Sequence, residues 1–207
     1  IEINGVRWLE QPESFDNVVL KTGDEDWSDY VFEATIAMLS DAPAGLLFRY
    51  KTSRHNYYLS FENRNSLTLY RRWDDEHILL AQTAFSYSLQ QELSVKIALS
   101  GRDFTVEVDN QTHLEVCDDV LANGMIGLRT DGPARFTNII VNTSEEMKAL
   151  SDQRRRHFER HLETRKKRIP APVPALEIPL NVECDYLHLH DVDDDGEFEV
   201  VFIKQHC

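Results

Sequence analysis

Asn56-Tyr-Tyr-Leu-Ser-Phe-Glu62, the turn Asn63-Arg-Asn-Ser66 and Leu67-Thr-Leu-Tyr-Arg-Arg72 decide the fold class. Tyr57, Leu59 and Phe61 fall on one face, and Tyr58, Ser60 and Glu62 on the other. After the turn, Leu67 and Leu69 face inward, while Thr68, Tyr70 and Arg72 face outward. A period of two marks half-buried antiparallel strands. The pattern continues in both directions. Residues 30–38 set Tyr30, Phe32, Ala34, Ile36 and Met38 against Glu33 and Thr35. Residues 44–51 put Leu46 and Phe48 inward and Arg49 outward. Val95, Ile97 and Leu99 alternate with Lys96 and Ala98, and Phe104, Val106 and Val108 with Thr105, Glu107 and Asp109. Turns such as Ser100-Gly-Arg-Asp103, Asn123-Gly124 and Thr130-Asp-Gly-Pro133 separate these runs. Short strands without intervening helices predict a mainly β, two-sheet antiparallel sandwich over residues 1–142.

The pattern changes at Asn142. Residues 143–168 predict one helix: Thr143 or Ser144 can cap it, and Glu145 and Glu146 suit its positive pole. It closes on Arg165-Lys-Lys-Arg168, which suits the negative pole. Its second half carries eight Lys/Arg and two His against two Glu over 154–168. Such a connector helix suits an anionic polysaccharide, an acidic domain face or plain solvent. Residues 169–183 form a Pro-rich linker that opens Ile169-Pro-Ala-Pro-Val-Pro174.

Residues 184–207 read as strand, acidic loop, strand. Asp191, Asp193, Asp195 and Glu199 occupy loop positions one, three, five and nine, and Gly196 permits a sharp turn at six. With the carbonyl of Glu197 at position seven, this spacing suits a hard cation such as Ca²⁺. An acidic Asp-Gly turn without an ion is the other reading. Position twelve is Phe202, so the bidentate Glu of an EF-hand is missing. An ion here is expected to be structural and to take oxygens from elsewhere.

The chain has 207 residues and a net charge of −14, so a nucleic-acid partner is not expected. No apolar run reaches the roughly 18 residues of a membrane span. The opening Ile1-Glu-Ile3 lacks an initiator Met and reads as a processed or trimmed start. Cys117, Cys184 and Cys207 lack metal-ligand spacing and read as free thiols.

No nucleophile elbow, phosphate-cradling Gly loop or His-Glu-x-x-His run is present, so no catalytic residue is assigned. The candidate site is a binding face. Alternation puts Arg49, Tyr58, Tyr70 and Arg72 on one outward face, with Trp73 at the following turn. Aromatic rings suit the CH-rich side of a pyranose, and guanidinium groups pair bidentately with a uronic acid carboxylate. Cross-strand Tyr-Arg packing without a ligand is the alternative.

Residues 6–142 resemble the concanavalin A-like, laminin-G-like jelly roll, in the variant near 3-keto-disaccharide hydrolase-like proteins. The resemblance rests on Trp27-Ser-Asp-Tyr30, Ala44-Gly-Leu-Leu-Phe-Arg-Tyr50, Asn56-Tyr-Tyr-Leu-Ser-Phe-Glu62, Val95-Lys-Ile-Ala-Leu-Ser-Gly101, Asn123-Gly-Met-Ile-Gly-Leu-Arg129 and Ala134-Arg-Phe-Thr-Asn-Ile-Ile-Val141. Residues 186–203 resemble the opening of an FG-GAP or polysaccharide-lyase-type β-propeller repeat, where Asp-rich loops bind calcium. Together the resemblances imply an accessory carbohydrate-binding or interaction module of a multidomain carbohydrate-active protein, such as a polysaccharide lyase. They imply an extracellular or periplasmic setting, and packing against the rest of a longer chain or a homo-oligomer. A glycoside hydrolase or lyase active within this chain, and a purely structural sandwich, stand as alternatives.

Overall fold

The computed structural model describes residues 1–168 apart from 4 and 16, and the strands 186–190 and 199–203. Two compact units divide the chain, Ile1–Glu159 and Arg160–Cys207.

The first unit begins with three short strands, β1 (Glu2–Ile3), β2 (Val6–Arg7) and β3 (Leu9–Gln11). There follow β4 (Val18–Thr22), β5 (Tyr30–Met38), β6 (Ala44–Thr52), β7 (His55–Glu62), β8 (Ser66–Trp73) and β9 (Glu76–Ala84). Then come β10 (Leu93–Ser100), β11 (Asp103–Val108), β12 (Gln111–Cys117), β13 (Met125–Thr130) and β14 (Ala134–Thr143). One six-stranded sheet has the order β12-β11-β10-β5-β14-β3, and the other β4-β13-β6-β7-β8-β9. Every recorded pairing in both is antiparallel. The mainly β sandwich expected from the period of two is what the chain forms.

The inward set from each strand makes one core. Tyr30, Phe32, Ala34, Ile36 and Met38 of β5 are buried, and meet Leu46 and Phe48, Tyr57, Leu59 and Phe61, and Leu67 and Leu69 from the opposite sheet. Phe48 stacks on Tyr57 at 5.3 Å between ring centroids, and Phe104 meets both rings at a steep angle. Full burial of each large apolar side chain contributes about 1.5–3 kcal/mol, so this interdigitated layer dominates stability.

Arg49 departs from simple alternation. The β6–β7 register shifts between Phe48 and Thr52, and Arg49 takes φ 43°, so Phe48 and Arg49 both turn inward. Such a bulge adds one residue and reverses the parity of all that follows. Arg49 is 1% exposed. Its guanidinium donates to the carbonyls of Leu121 (2.9 Å), Ser28 (3.0 Å) and Gly101 (2.5 Å), and lies 5.0 Å from the Phe104 ring centre. Its backbone N–H donates to the Tyr30 hydroxyl at 3.0 Å. Gly124, at φ 152°, admits this bulge. A Cβ there would stand 2.4 Å from the Arg49 carbonyl carbon.

Strand β9 lies within the stretch expected to form strands, but alternation does not single it out. It is an edge strand with no buried position, and its pairing with β8 shifts register at Leu69/Tyr70. Both features blur alternation.

Helix α1 (Glu145–Arg168) follows the sandwich. Ser144 is its cap, with the Met147 N–H donating to Oγ at 3.2 Å, while the Thr143 hydroxyl donates to the Asp29 carbonyl instead. A cap of this kind is worth about 1 kcal/mol. Its early turns are anchored. Trp27 Nε1 donates to Ser151 Oγ (3.1 Å), Ser151 donates to Asp24 Oδ2 (2.5 Å), and Arg154 pairs with Asp24 and Asp26. No helix among the described residues is long and apolar enough to cross a membrane.

In the second unit, β15 (Tyr186–His190) pairs antiparallel with β16 (Glu199–Ile203). Of the expected Ca²⁺ ligands, Asp191, Asp193, Asp195 and Glu197 lie outside the described residues, as does the linker 169–183; Glu199 opens β16.

Candidate functional site

The outer face of the β4-β13-β6-β7-β8-β9 sheet collects side chains that the inner core does not use. Leu47 and Tyr50 come from β6, Asn56, Tyr58, Ser60 and Glu62 from β7, and Thr68, Tyr70 and Arg72 from β8. Strand β9 adds His77 opposite Arg72, and β13 adds Arg129. Leu47, Tyr50 and Tyr58 form a small apolar cluster here with Val19, Tyr70 and Met125.

Tyr58 and Tyr70 are direct cross-strand partners, and their rings stack at 4.8 Å and 19°. The Arg129 guanidinium lies 4.6 Å from the centre of the Tyr58 ring. It reaches there because its neighbour on β6 is Gly45, which is paired in turn with Ser60 on β7. With no side chain at 45, the arginine crosses a whole strand. Gly45 is doubly constrained, since a Cβ would fall 1.8 Å from the Leu59 carbonyl oxygen. A cation over a tyrosine face is worth about 0.5–2 kcal/mol depending on desolvation. Asp131 Oδ2 is 3.4 Å from Arg129 Nη2, and the buried Nε of Arg129 has no hydrogen-bond partner.

The Tyr58 hydroxyl is 2.6 Å from His77 Nδ1. Burial raises the Tyr58 pKa above its ordinary value, so the phenol keeps its proton. Burial, then the Arg72 and Arg129 charges, lower the pKa of His77. A neutral His77 accepts at Nδ1, so the phenol donates and the imidazole carries its proton on Nε2. Burial, with Glu62 nearby, also raises Tyr70, whose hydroxyl donates to Glu62 Oε2 at 3.4 Å. Lys21 sits 5.2 Å from the Tyr50 ring centre, and Gln82 donates to Thr68 at 3.2 Å.

Two small hollows of about 10 Å³ open beside Arg129. One is bordered by Asn17, Tyr50, Asn56, Arg72 and Arg129, and the other by Gly45, Tyr58, Ser60 and Arg129. Each has room for about one water or one hydroxyl group. A much larger hollow of about 1,040 Å³ lies beside the first half of α1, bordered by Asp24, Asp26, Trp27 and Arg154. There the polar groups are engaged with one another through the helix anchor, so it is read as the seat of the helix.

Of the five residues expected to bind a ligand, Tyr58, Tyr70 and Arg72 share the outer face. Arg49 does not, because the bulge turns it into the core. Trp73 does not either: it pairs with His55 at the end of the sheet, its ring 4.6 Å from that imidazole, and is 41% exposed. Its inward parity matches Leu69 and Arg71. Arg129 and His77 were missed. Residues 125–129 were read only for the family resemblance, and it is strand order, which alternation does not carry, that puts Arg129 beside Tyr58. His77 belongs to β9, which alternation does not single out.

No protein-family model matches the chain, and no curated protein matches it. Solved structures do share its fold. A carbohydrate-binding module, CBM66, from Bacillus subtilis superposes with TM-score 0.61 at 16% identity, over 67% of this chain and 92% of that one. A protein of unknown function with a galectin-like fold, also from Bacillus subtilis, gives 0.55 at 14% identity, over 67% and 83%. The chain therefore has the jelly-roll sandwich architecture of these structures.

Proposed function

We propose that this chain is a non-catalytic carbohydrate-binding module, and that the outer face around Tyr58, Tyr70, Arg72 and Arg129 receives the glycan. One observation carries the reading: a stacked tyrosine pair roofed by an arginine on the outer face of the sheet, with Tyr70, Glu62, Arg72 and His77 reaching its surface. Tyr70 offers ring surface to a pyranose, while the accessible Glu62, Arg72 and His77 can meet its hydroxyls. The shared architecture with a carbohydrate-binding module supports the reading. The two arginines favour a uronic-acid-bearing oligo- or polysaccharide, because a guanidinium fork matches a carboxylate.

The test is titration of the purified chain with neutral and uronic acid oligosaccharides, alongside Tyr70→Ala and Arg129→Gln. Saturable binding that both substitutions weaken, at unchanged fold, supports the module. Binding by no glycan, or binding indifferent to both substitutions, overturns it.

We propose in addition that Asp191, Asp193, Asp195, Glu197 and Glu199 hold a structural Ca²⁺ when a propeller repeat is completed by further chain, in an extracellular or periplasmic polysaccharide-degrading protein. The spacing of the oxygens and the flanking pair β15 and β16 support it. Equal melting temperatures with calcium and with chelator, in a protein carrying the further chain, would end that proposal.

A further inference from the structure

The same face holds one arrangement that plain sugar recognition does not require. Three nitrogen-bearing side chains from three different strands meet here: His77 at the Tyr58 hydroxyl, Arg72 paired across the ladder with His77, and Arg129 over the Tyr58 ring. Arg72 and Arg129 also border one hollow, together with Asn17 and Asn56. We infer that this corner is a proton-linked anion seat: it takes the carboxylate of a uronic acid residue, and His77 gains a proton as the sugar binds. The inference rests on the carbohydrate reading above.

The groups that face His77 fix the direction of the linkage. From β7 comes the Tyr58 hydroxyl, from β8 the Arg72 cation, and from β13 and the turn after it Arg129 and Asp131. Glu62 lies further along β7 and acts on the two tyrosines. In the free protein the two guanidinium charges oppose a third cation, and only Asp131 favours one. A carboxylate resting at the mouth of the hollow that Arg72 and Arg129 border, with at most one oxygen inside it, cancels part of that repulsion and adds attraction of its own. The bound state therefore favours imidazolium more than the free state does, and binding takes up a fraction of a proton from solvent.

The hydrogen bond between His77 and Tyr58 gives the linkage a structural consequence. With His77 neutral, the phenol O–H is committed to Nδ1. Once Nδ1 is protonated it becomes the donor, and the phenol oxygen accepts. The Tyr58 O–H is then free to turn to another acceptor. Protonation thus adds a positive charge and an available donor, both of which favour an acidic sugar.

Affinity for a uronate should rise as pH falls through the region near and below 6.5, the ordinary histidine value, and stay flat above it. The slope is at most tenfold per pH unit for one proton. A neutral sugar should show no such rise.

The test follows the His77 ring resonance by NMR titration of the intact chain, alone and with saturating D-galacturonate or D-galactose. His77→Gln and Arg72→Gln are run beside it, with circular dichroism as a check on folding. The expected result is a His77 titration moved to higher pH by galacturonate and left in place by galactose, with the pH dependence of galacturonate affinity abolished in His77→Gln. Galacturonate that binds without moving His77, or with the same pH dependence in His77→Gln, overturns the inference. Galactose binding with equal or greater affinity, perturbing Tyr58 and Tyr70, also overturns it and leaves the carbohydrate-binding module standing. If neither sugar, nor any glycan of the wider panel, perturbs the face, both readings fall.

Discussion

Arg129 on β13 and Tyr58 on β7 are separated by an entire strand, yet the guanidinium lies 4.6 Å from the centre of the tyrosine ring. Gly45, between them on β6, leaves the passage open. A planar, delocalised cation suits such a ring face better than a compact ammonium. Arg129→Lys is therefore expected to weaken binding of an acidic oligosaccharide about tenfold, and Arg129→Gln more, each with a loss of about 1–2 kcal/mol or above. Isothermal titration of the two variants, with melting curves to show that the fold persists, checks this.

Gly45→Ala should fail differently. Its Cβ would lie 1.8 Å from the Leu59 carbonyl oxygen, so strands β6 and β7 must separate or shift. A cost of about 3 kcal/mol or more is expected, from strain and from lost ladder hydrogen bonds. Urea denaturation measures it, and a midpoint equal to that of the parent would contradict the close approach.

Acid should weaken the fold through His77. Its pKa in the folded chain lies below the ordinary histidine value, chiefly through burial and then through Arg72 and Arg129. The unfolded chain therefore takes up the proton first as pH falls. This contribution is complete above about pH 6.5 and declines below it. In His77→Gln the melting temperature should depend less on pH between 7.5 and 5. Parallel curves for the two proteins would contradict it.

The helix anchor should be separable from the sandwich. Ser151→Ala removes the acceptor of the Trp27 indole and the donor to Asp24. Arg154→Ala removes the pairing with Asp24 and Asp26. Half-exposed ion pairs of this kind are worth about 0–1 kcal/mol. We expect a changed Trp27 emission and faster amide exchange in the first turns of α1, with the main melting transition moved by only a few degrees.

The period of two made the sandwich legible, because each half-buried strand must separate apolar from polar residues along its length. It located Tyr58, Tyr70 and Arg72 on one face for the same reason. Parity fails at a bulge, and nothing in Leu47-Phe-Arg-Tyr50 announces one. The turn of Arg49 into the core is set by partners distant in sequence: the carbonyls of Ser28, Gly101 and Leu121, and the close passage of Gly124. Trp73 was placed by its nearness to Arg72 in sequence, whereas its pairing with His55 puts it at the sheet end. Arg129 joined the site only through strand order. His77 was hidden because an edge strand has little to bury.

The buried Arg49 has a bearing on kinetics. Its four hydrogen bonds join residues 19 to 72 positions apart, from both sheets and from loops at one end of the sandwich. Contacts that close such long stretches of chain are entropically costly until most of the topology is already in place. They belong to the last stage of assembly, so truncating the side chain as Arg49→Met should accelerate unfolding far more than it slows refolding. The residue works like a rivet driven after the plates are aligned: it sets how long the sandwich lasts and has little influence on how quickly it forms.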